Sequence, residues 1–318
     1  MPPTILRTLA LSMATVGVVA ATAATGQSPA DANPQADAAA ILAAARQALG
    51  GDATLNAVAS FSVTGSAQVD AGGRATYDES VEYHCQLPDK FVRISHRTID
   101  LGPLGTSSAT QWHGFNGNDL IDDDKSSGPA PFPMVIRPQA ATPAAAAAER
   151  ARLVGLQKRA FVEFVTPLFV LPFVTQPLTM SSAGRVTGPT GPADAIDAVG
   201  TDGFTRRFLF DPSTHLLAAM TWMDKPIVTA SSSQMVMVSP QRGTVGMSSP
   251  GPLLPANPTA GLPDVQWQLV FTDYRVDDGV KWPHRIARSY PGRDYELVRL
   301  GKFRINPKIN ASVFKPVK

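Results

Sequence analysis

Residues 60–70, SFSVTGSAQVD, decide the fold class of this chain. Small or apolar side chains occupy every second position and polar ones fill the positions between them: Phe61, Val63, Gly65, Ala67 and Val69 against Ser62, Thr64, Ser66, Gln68 and Asp70. A strict period of two is typical of a β-strand with one buried face and one face in water. The segment therefore predicts a sheet with one wet side.

The residues that follow repeat this pattern. Residues 71–73, AGG, predict a turn, and the alternation then resumes with one apolar side: Ala75, Tyr77, Val81, Tyr83, Cys85 and Leu87. Glu79 alone interrupts that side, either as a polar group lining a cavity or as a residue near a sheet edge that water reaches; we favour the edge. Residues 87–95 add a turn and a third strand. Consecutive strands with one wet face and short turns are antiparallel rather than parallel.

The second half of the chain continues the theme. Residues 203–222 read as two strands joined by a turn at Asp211 and Pro212, and residues 265–290 as two more joined at Asp278 and Gly279. Asp-Gly between alternating segments is a strong signal for a short hairpin. Residues 294–305 supply a last strand.

Helices are expected in two places. Residues 37–49 form a short amphipathic helix, with Asp37 as the N-cap and two glycines as the stop. A longer helix runs from about Pro143 to Phe169 into the apolar stretch 160–177, AFVEFVTPLFVLPFVTQP. A membrane-spanning helix needs about 20 nearly uncharged residues. Glu163 and two prolines interrupt this stretch, so it is not expected to cross a bilayer.

Strands, a helical insertion and strands again predict an α+β fold, one antiparallel sheet wrapped around helices, in a single domain over residues 37–318. Residues 1–23 carry Arg7, an apolar run and then small residues, as in a cleavable signal peptide. Residues 24–36 read as a linker. Segments near 122–143 and 229–263 are rich in Pro, Gly and Ser without periodicity and are expected to be flexible loops.

Composition and motifs argue against several functions. The chain has 28 Lys and Arg against 26 Asp and Glu, so charge gives no case for nucleic acid. The lone Cys85 cannot form an intramolecular disulfide and is expected to be a small buried residue. Five histidines fall at no metal-ligand spacing, and the acidic stretch around Asp122 reads as a solvated turn. With no nucleophile motif or phosphate loop either, we expect no metal, no cofactor and no enzymatic activity.

The long helix carries an aromatic-rich stripe at spacings of three and four: Phe161, Phe164, Val165, Leu168 and Phe169. More apolar residues, Phe173 among them, lie off that stripe. Two interpretations stay open, an ordinary core helix or a detachable apolar helix over a ligand. The residues alone favour the core helix.

Several segments resemble one family. They are residues 41–69, 87–93 (LPDKFVR), 114–117 (GFNG), 208–222 (FLFDPSTHLLAAMTW), 271–286 (FTDYRVDDGVKWPHRI) and 303–316. Together they are similar to periplasmic proteins of the outer-membrane lipoprotein-sorting class, the LolA/LolB-like superfamily. That resemblance implies a single antiparallel sheet curled into an open half-barrel, with helices covering its concave face as a lid over an apolar cavity.

The resemblance also implies a function. Characterised members hold acyl chains of lipoproteins or other lipids and move them across the periplasm, for outer-membrane biogenesis. We therefore expect a monomeric, non-enzymatic periplasmic carrier or binder of a lipid-like or lipoprotein acyl ligand, served by inner- or outer-membrane delivery proteins. The alternative is an envelope sensor or scaffold that binds a protein partner. Expected ligand contacts are the lid residues Phe161, Phe164, Val165, Leu168, Phe169 and Phe173 and the wall residues Phe61, Val63, Tyr83 and Phe208.

Overall fold

A computed structural model describes residues 34–70, 76–129, 142–169, 178–200, 203–226 and 261–315. These residues belong to one compact unit, Pro34–Lys318. The predicted signal peptide and nearly all of the linker and of the second loop lie outside the described residues and stay predictions.

The described residues form three α-helices, thirteen strands and two short 3-10 helices, Gly102–Leu104 and Ala311–Phe314. The helices are α1 (Pro34–Leu49), α2 (Asp52–Asn56) and α3 (Pro143–Phe169). The strands of the first half are β1 (Ser60–Asp70), β2 (Thr76–Gln86), β3 (Lys90–Asp100), β4 (Thr106–Asn116) and β5 (Asp119–Ser127). Those of the second half are β6 (Leu178–Gly188), β7 (Gly191–Gly200), β8 (Thr205–Phe210), β9 (Leu217–Asp224), β10 (Val265–Asp277), β11 (Val280–Tyr290), β12 (Arg293–Leu300) and β13 (Arg304–Ile305).

All of these strands belong to one antiparallel sheet. Its order is β5-β4-β3-β2-β1-β12-β11-β10-β9-β8-β7-β6, with β13 also paired to β1. The pairing of β1 with β12 joins the two halves of the sequence at the centre of the sheet. A side chain at Gly65 would collide with the backbone of Arg299 on β12, which explains a glycine in the middle of a buried strand face.

The described sheet is open and curled. β5 and β6 are its two edges, so these strands do not close into a ring. A single turn of α3, residues 161–164, contacts β1, β2, β3, β4 and β11. β4 and β11 are five strand spacings apart, about 24 Å in a flat sheet, so the sheet curls around the helix. The predicted fold class is confirmed as an α+β half-barrel.

The core lies on the concave face. Its largest fully buried side chains include Trp282, Phe61, Phe208 and Phe303. α3 contributes Phe161, Val162 and Val165 from its C-terminal half, whereas residues 143–152 are all exposed. The predicted bounds of α3 and the hairpins at Asp211 and Asp278 are confirmed.

The predicted boundary of the first loop, residue 122, is wrong, because the first residues of that segment form a strand. Residues 122–127 belong to β5, which pairs along its length with β4. Ile121 is fully buried, and Asp122 lies 3.1 Å from the Nδ1 atom of His113, so the hairpin gains both apolar burial and a partner for an acid. The remaining acidic side chains lie on an edge strand, where charge discourages pairing with another chain.

Candidate functional site

A cavity of about 410 Å³ lies between α3 and the concave face of the sheet. Its volume falls within the range of about 300–1,000 Å³ that ligand sites occupy. One part of the wall is apolar and is formed by Val69, Phe91, Phe164, Leu269, Ile286 and Val298. Three tyrosines, Tyr77, Tyr83 and Tyr295, add faces that are both aromatic and polar.

The remaining wall is charged or polar. It contains three glutamates and two arginines, Glu79, Glu163, Glu296, Arg93 and Arg288, together with Ser95, Gln111, His113 and Gln157. The predicted apolar cavity is therefore only half apolar. The cavity can hold an amphiphilic molecule, with an apolar part and a polar part.

The predicted lid residues of α3 fall into two groups. Phe161 and Val165 are fully buried, and the Phe161 ring packs 5.2 Å from Phe91 and 5.5 Å from Phe115, in the core. Phe164 is half-buried, lines the cavity and stacks 4.3 Å from Tyr83. The side chains of Leu168 and Phe169, and Phe173 as a whole, lie outside the described residues.

The predicted wall residues divide in the same way. Tyr83 lines the cavity. Phe61, Val63 and Phe208 are buried in the main core cluster and do not line it. The sheet side of the cavity that sequence reasoning missed is the set Val69, Leu269, Ile286 and Val298.

The charged residues form an alternating chain. The Nη2 atom of Arg93 donates to Glu79 Oε1 at 2.7 Å and to Glu296 Oε1 at 2.6 Å. Arg288 lies directly across from Glu296 in the β11–β12 register, and its Nη2 atom donates to Glu163 Oε2 on α3 at 2.8 Å. A buried charge is tolerated when it is paired and hydrogen-bonded. The chain of pairs ties α3 to β11 and holds three acids within the cavity.

Glu79 corrects the sequence interpretation. We favoured a wet sheet edge, but Glu79 is only 8% exposed and lies on β2 in the interior of the sheet. The other interpretation, a polar group lining a cavity, is the one that the structure bears out. Its carboxylate is stable there because Arg93 reaches it from the neighbouring strand.

The electrostatics keep Glu296 and Arg288 charged. Burial alone would raise the pKa of Glu296, but the charges of Arg93 and Arg288 outweigh it and lower that pKa below its ordinary value. Burial opposes the charge of Arg288, yet Glu163 and Glu296 raise its pKa. For Tyr83, burial raises the pKa to about 12, so its hydroxyl stays protonated. At neutral pH the cavity therefore presents ions and neutral phenols together.

Part of the hydrogen-bonding capacity of the cavity is unused. The Nε atom of Arg288 is buried and has no hydrogen-bond partner within the described residues. Arg93 makes both of its bonds through one nitrogen of a guanidinium that carries five N–H donors. Such donors call for an acceptor that arrives with water or a ligand.

A sequence signal could have revealed this charged patch. On four strands the apolar face continues into a charge two residues along: Val81 to Glu79, Phe91 to Arg93, Ile286 to Arg288 and Val298 to Glu296. Each change is ordinary by itself. Register places only Arg288 opposite Glu296, and the side chain of Arg93 reaches diagonally to both Glu79 and Glu296. Only the folded sheet makes this grouping visible.

Neither metal chemistry nor a membrane span is found in the described part of the chain. No group of three or more His, Cys, Asp or Glu side chains there is placed to hold a metal ion. No helix among the same residues is long and apolar enough to cross a membrane. Cys85 is buried, as expected, and burial raises the pKa of its thiol well above the ordinary value.

Comparison with known proteins yields matches in structure alone. No protein-family model matches the chain, and no curated protein matches its sequence. A DUF1329 family protein from Desulfovibrio piger is 10% identical, with a TM-score of 0.43 over 87% of this chain and 97% of that one. A LolA superfamily protein from Nitrosomonas europaea is 11% identical, with a TM-score of 0.42 over 87% and 97%.

A domain from Vibrio parahaemolyticus described as outer membrane lipoprotein-sorting is 8% identical, with a TM-score of 0.41 over 88% of this chain and 97% of its own. Two of these three proteins, those from Nitrosomonas europaea and Vibrio parahaemolyticus, are described with the class that this sequence resembles. The function proposed below rests on the cavity of this chain.

Proposed function

We propose that this chain is a non-enzymatic periplasmic carrier or binder of a lipid-like ligand. The ligand lies in the cavity between α3 and the sheet. The observation that carries the proposal is the combined wall of that cavity, in which Val69, Leu269, Ile286 and Val298 form an apolar floor beneath Phe164. The predicted signal peptide supports a periplasmic location, and delivery partners in the two membranes follow from the same proposal.

The energetics favour an amphiphile over a plain hydrocarbon. Burying a dodecyl chain is worth about 10 kcal/mol at roughly 0.8 kcal/mol per methylene. Desolvation of an ion costs several kcal/mol unless the ion stays paired and hydrogen-bonded. Five charged side chains line this cavity. The tail therefore belongs on the apolar floor, and a polar group belongs near the arginines.

The ligand can enter without dismantling the core. Phe161 is fully buried against Phe115, whereas Phe164 lines the cavity and is only half-buried. A tail that slides under Phe164 competes mainly with its shortest aromatic contact, the stack on Tyr83 at 4.3 Å, because the rings of Phe91 and Phe61 lie farther away, at 5.9 Å and 6.3 Å. An aromatic pair is worth about 0.5–1.5 kcal/mol. Exchange between an open and a filled cavity is then feasible without an energy source.

Extraction of the purified protein tests the proposal. The mature chain is isolated from cell envelopes, extracted with organic solvent and analysed by mass spectrometry, with Phe164→Asp and Leu156→Asp isolated in parallel. Leu156 is an exposed position on the same helix and serves as the matched control. We expect a stoichiometric amphiphile with the wild type and with Leu156→Asp and a strong loss with Phe164→Asp. Wild-type protein without extractable lipid, and without affinity for added amphiphiles, would contradict the proposal.

A second candidate, an envelope scaffold, is favoured by one observation. Residues 143–152 of α3 are all exposed and extend the helix beyond its packed half. Such a segment can present a surface to a protein partner. Cross-linking in cell envelopes separates the two functions, since a scaffold retains its partner when Phe164 is replaced by aspartate and a carrier loses its cargo.

A further inference from the structure

The charges in the cavity identify the kind of polar group that its ligand carries. This inference rests on the proposed function, because it concerns the head of the same amphiphile. Glu163, Arg288, Glu296, Arg93 and Glu79 follow one another with alternating sign along the concave face. Each carboxylate is already bonded to a guanidinium.

Among the described residues of the wall, a charged head group meets no counter-ion that is not already paired. An added anion would compete with a glutamate for its arginine, and an added cation would compete with an arginine for its glutamate. A third positive charge lies next to the wall: the guanidinium of Arg97 is 4.3 Å from the centre of the ring of Tyr77, a wall residue. At the cavity margin, Asp122 is paired with His113. The wall itself carries three glutamates and two arginines, and once Arg97 beside it is counted the acids and the arginines are equal in number.

What the wall lacks is partners for hydrogen bonds of both kinds. Arg288 Nε is a buried donor that meets no acceptor in the described residues, and the two bonds of Arg93 leave its Nε and Nη1 atoms as further donors. Each of the three glutamates accepts a single bond from an arginine, through one of its two oxygens. A hydroxyl group donates and accepts at once, without bringing charge.

The tyrosines favour the same chemistry. Tyr77, Tyr83 and Tyr295 line the cavity beside the ions. The negative face of an aromatic ring attracts the positively polarised C–H groups on the face of a sugar ring. We infer that the cavity binds the uncharged, hydroxyl-rich head group of its ligand, which makes the ligand a neutral glycolipid-like amphiphile.

Amphiphiles that share one tail test this inference. Wild-type protein freed of lipid is titrated by calorimetry, below micelle concentrations, with dodecyl glucoside, dodecanoate, dodecylamine and dodecanol, and separately with glucose. An unpaired buried donor or acceptor is costly, so dodecyl glucoside should bind at least about tenfold more tightly than the other three dodecyl compounds. Equal or tighter binding of dodecanoate or dodecylamine would overturn the inference and leave the lipid proposal standing.

Other outcomes separate the two levels of the argument. If no dodecyl compound binds, the proposed function fails and the inference fails with it. If glucose alone binds as tightly as its dodecyl glycoside, the polyol site survives and the lipid proposal fails. Dodecanol that binds as well as dodecyl glucoside shows a tail-only site and overturns the inference.

Two variants locate the head group. Arg288→Lys keeps the positive charge but removes the planar set of donors. We expect it to lower the affinity for dodecyl glucoside at least about tenfold and to leave the affinity for dodecanol unchanged. The control is Arg207→Lys, which alters an exposed ion pair with Asp197 on the β7–β8 hairpin and should leave all affinities unchanged. Circular dichroism confirms the fold of each variant. Unchanged glucoside affinity in a folded Arg288→Lys protein contradicts the placement of the head group.

Discussion

The ion pair that joins α3 to β11 gives the sharpest stability prediction. The side chain of Glu163 is 6% exposed and that of Arg288 is 25% exposed, and one hydrogen bond of 2.8 Å links them. Removal of one partner from a buried pair costs about 3–5 kcal/mol, because the other charge is left uncompensated. We take the lower end, about 3 kcal/mol for Glu163→Leu, because water from the cavity reaches part of the arginine.

The matched variants are Arg288→Met and the double variant. Arg288→Met leaves Glu163 without its partner and should cost a similar amount. The double variant replaces both ions with apolar groups, which is often close to neutral. We therefore expect a coupling of at least about 2 kcal/mol in the double-mutant cycle.

Urea unfolding, followed by tryptophan fluorescence and by circular dichroism, measures this cycle. If the two probes give coincident transitions, unfolding is two-state and the free energies of unfolding can be compared. A coupling below about 0.5 kcal/mol, within the scatter of independent sites, would refute the reasoning that this pair holds the helix on the sheet. It would leave the aromatic contacts of the helix as its attachment.

Three further predictions concern packing and pH. Phe161→Ala removes a fully buried core ring and should lower the free energy of unfolding in urea by about 3–5 kcal/mol. Phe164→Ala removes the half-buried cavity ring and should lower it by less than half of that. Equal losses would contradict the division between core and cavity. The pKa of Glu296 is lowered in the folded state, so its contribution to stability is present above its unfolded pKa of about 4.3 and lost as pH falls below that value. Glu296→Gln should therefore flatten the acid limb of stability against pH, and an unchanged limb would show that the carboxylate is not paired in solution. Gly65→Ala places a methyl group against the backbone of Arg299, and thermal unfolding should reveal a loss of about 1–3 kcal/mol; a neutral result would contradict the close approach of the two central strands.

The sequence predicted the elements that have strong local signals. The period of two in β1 and β2, the Asp-Pro and Asp-Gly turns and the helix from Pro143 to Phe169 all appear in the structure as expected. Each of these is set by a few neighbouring residues. Their recognition needs no knowledge of the rest of the chain.

The strands that the sequence analysis did not predict include β4, β5, β6 and β7, which lack such signals. β6 contains Ser181, Ser182 and Gly184, which provide no apolar alternation, and a bulge interrupts its pairing. β5 was hidden by its run of acids, because an exposed edge strand and a loop have similar compositions. Pairing with a neighbouring strand, which is a non-local property, decides these cases.

The candidate site was predicted in part. Phe164 and Tyr83 were expected and line the cavity. The charged wall was not expected, because Arg93 and Glu296 meet only after β2 and β1 have been placed between their strands. The partner of Glu79 lies on the next strand, and a wet edge was the simpler interpretation without it.

Native mass spectrometry of a cavity-filling variant tests the central claim most directly. Leu269 lines the apolar floor and is buried, whereas Leu104 is 71% exposed on a surface turn. Wild-type protein and Leu104→Trp, taken gently from cell envelopes, should show the mass of the chain plus one amphiphile. The account predicts that folded Leu269→Trp shows the bare chain, and an amphiphile retained at wild-type occupancy in that variant would contradict a ligand in this cavity.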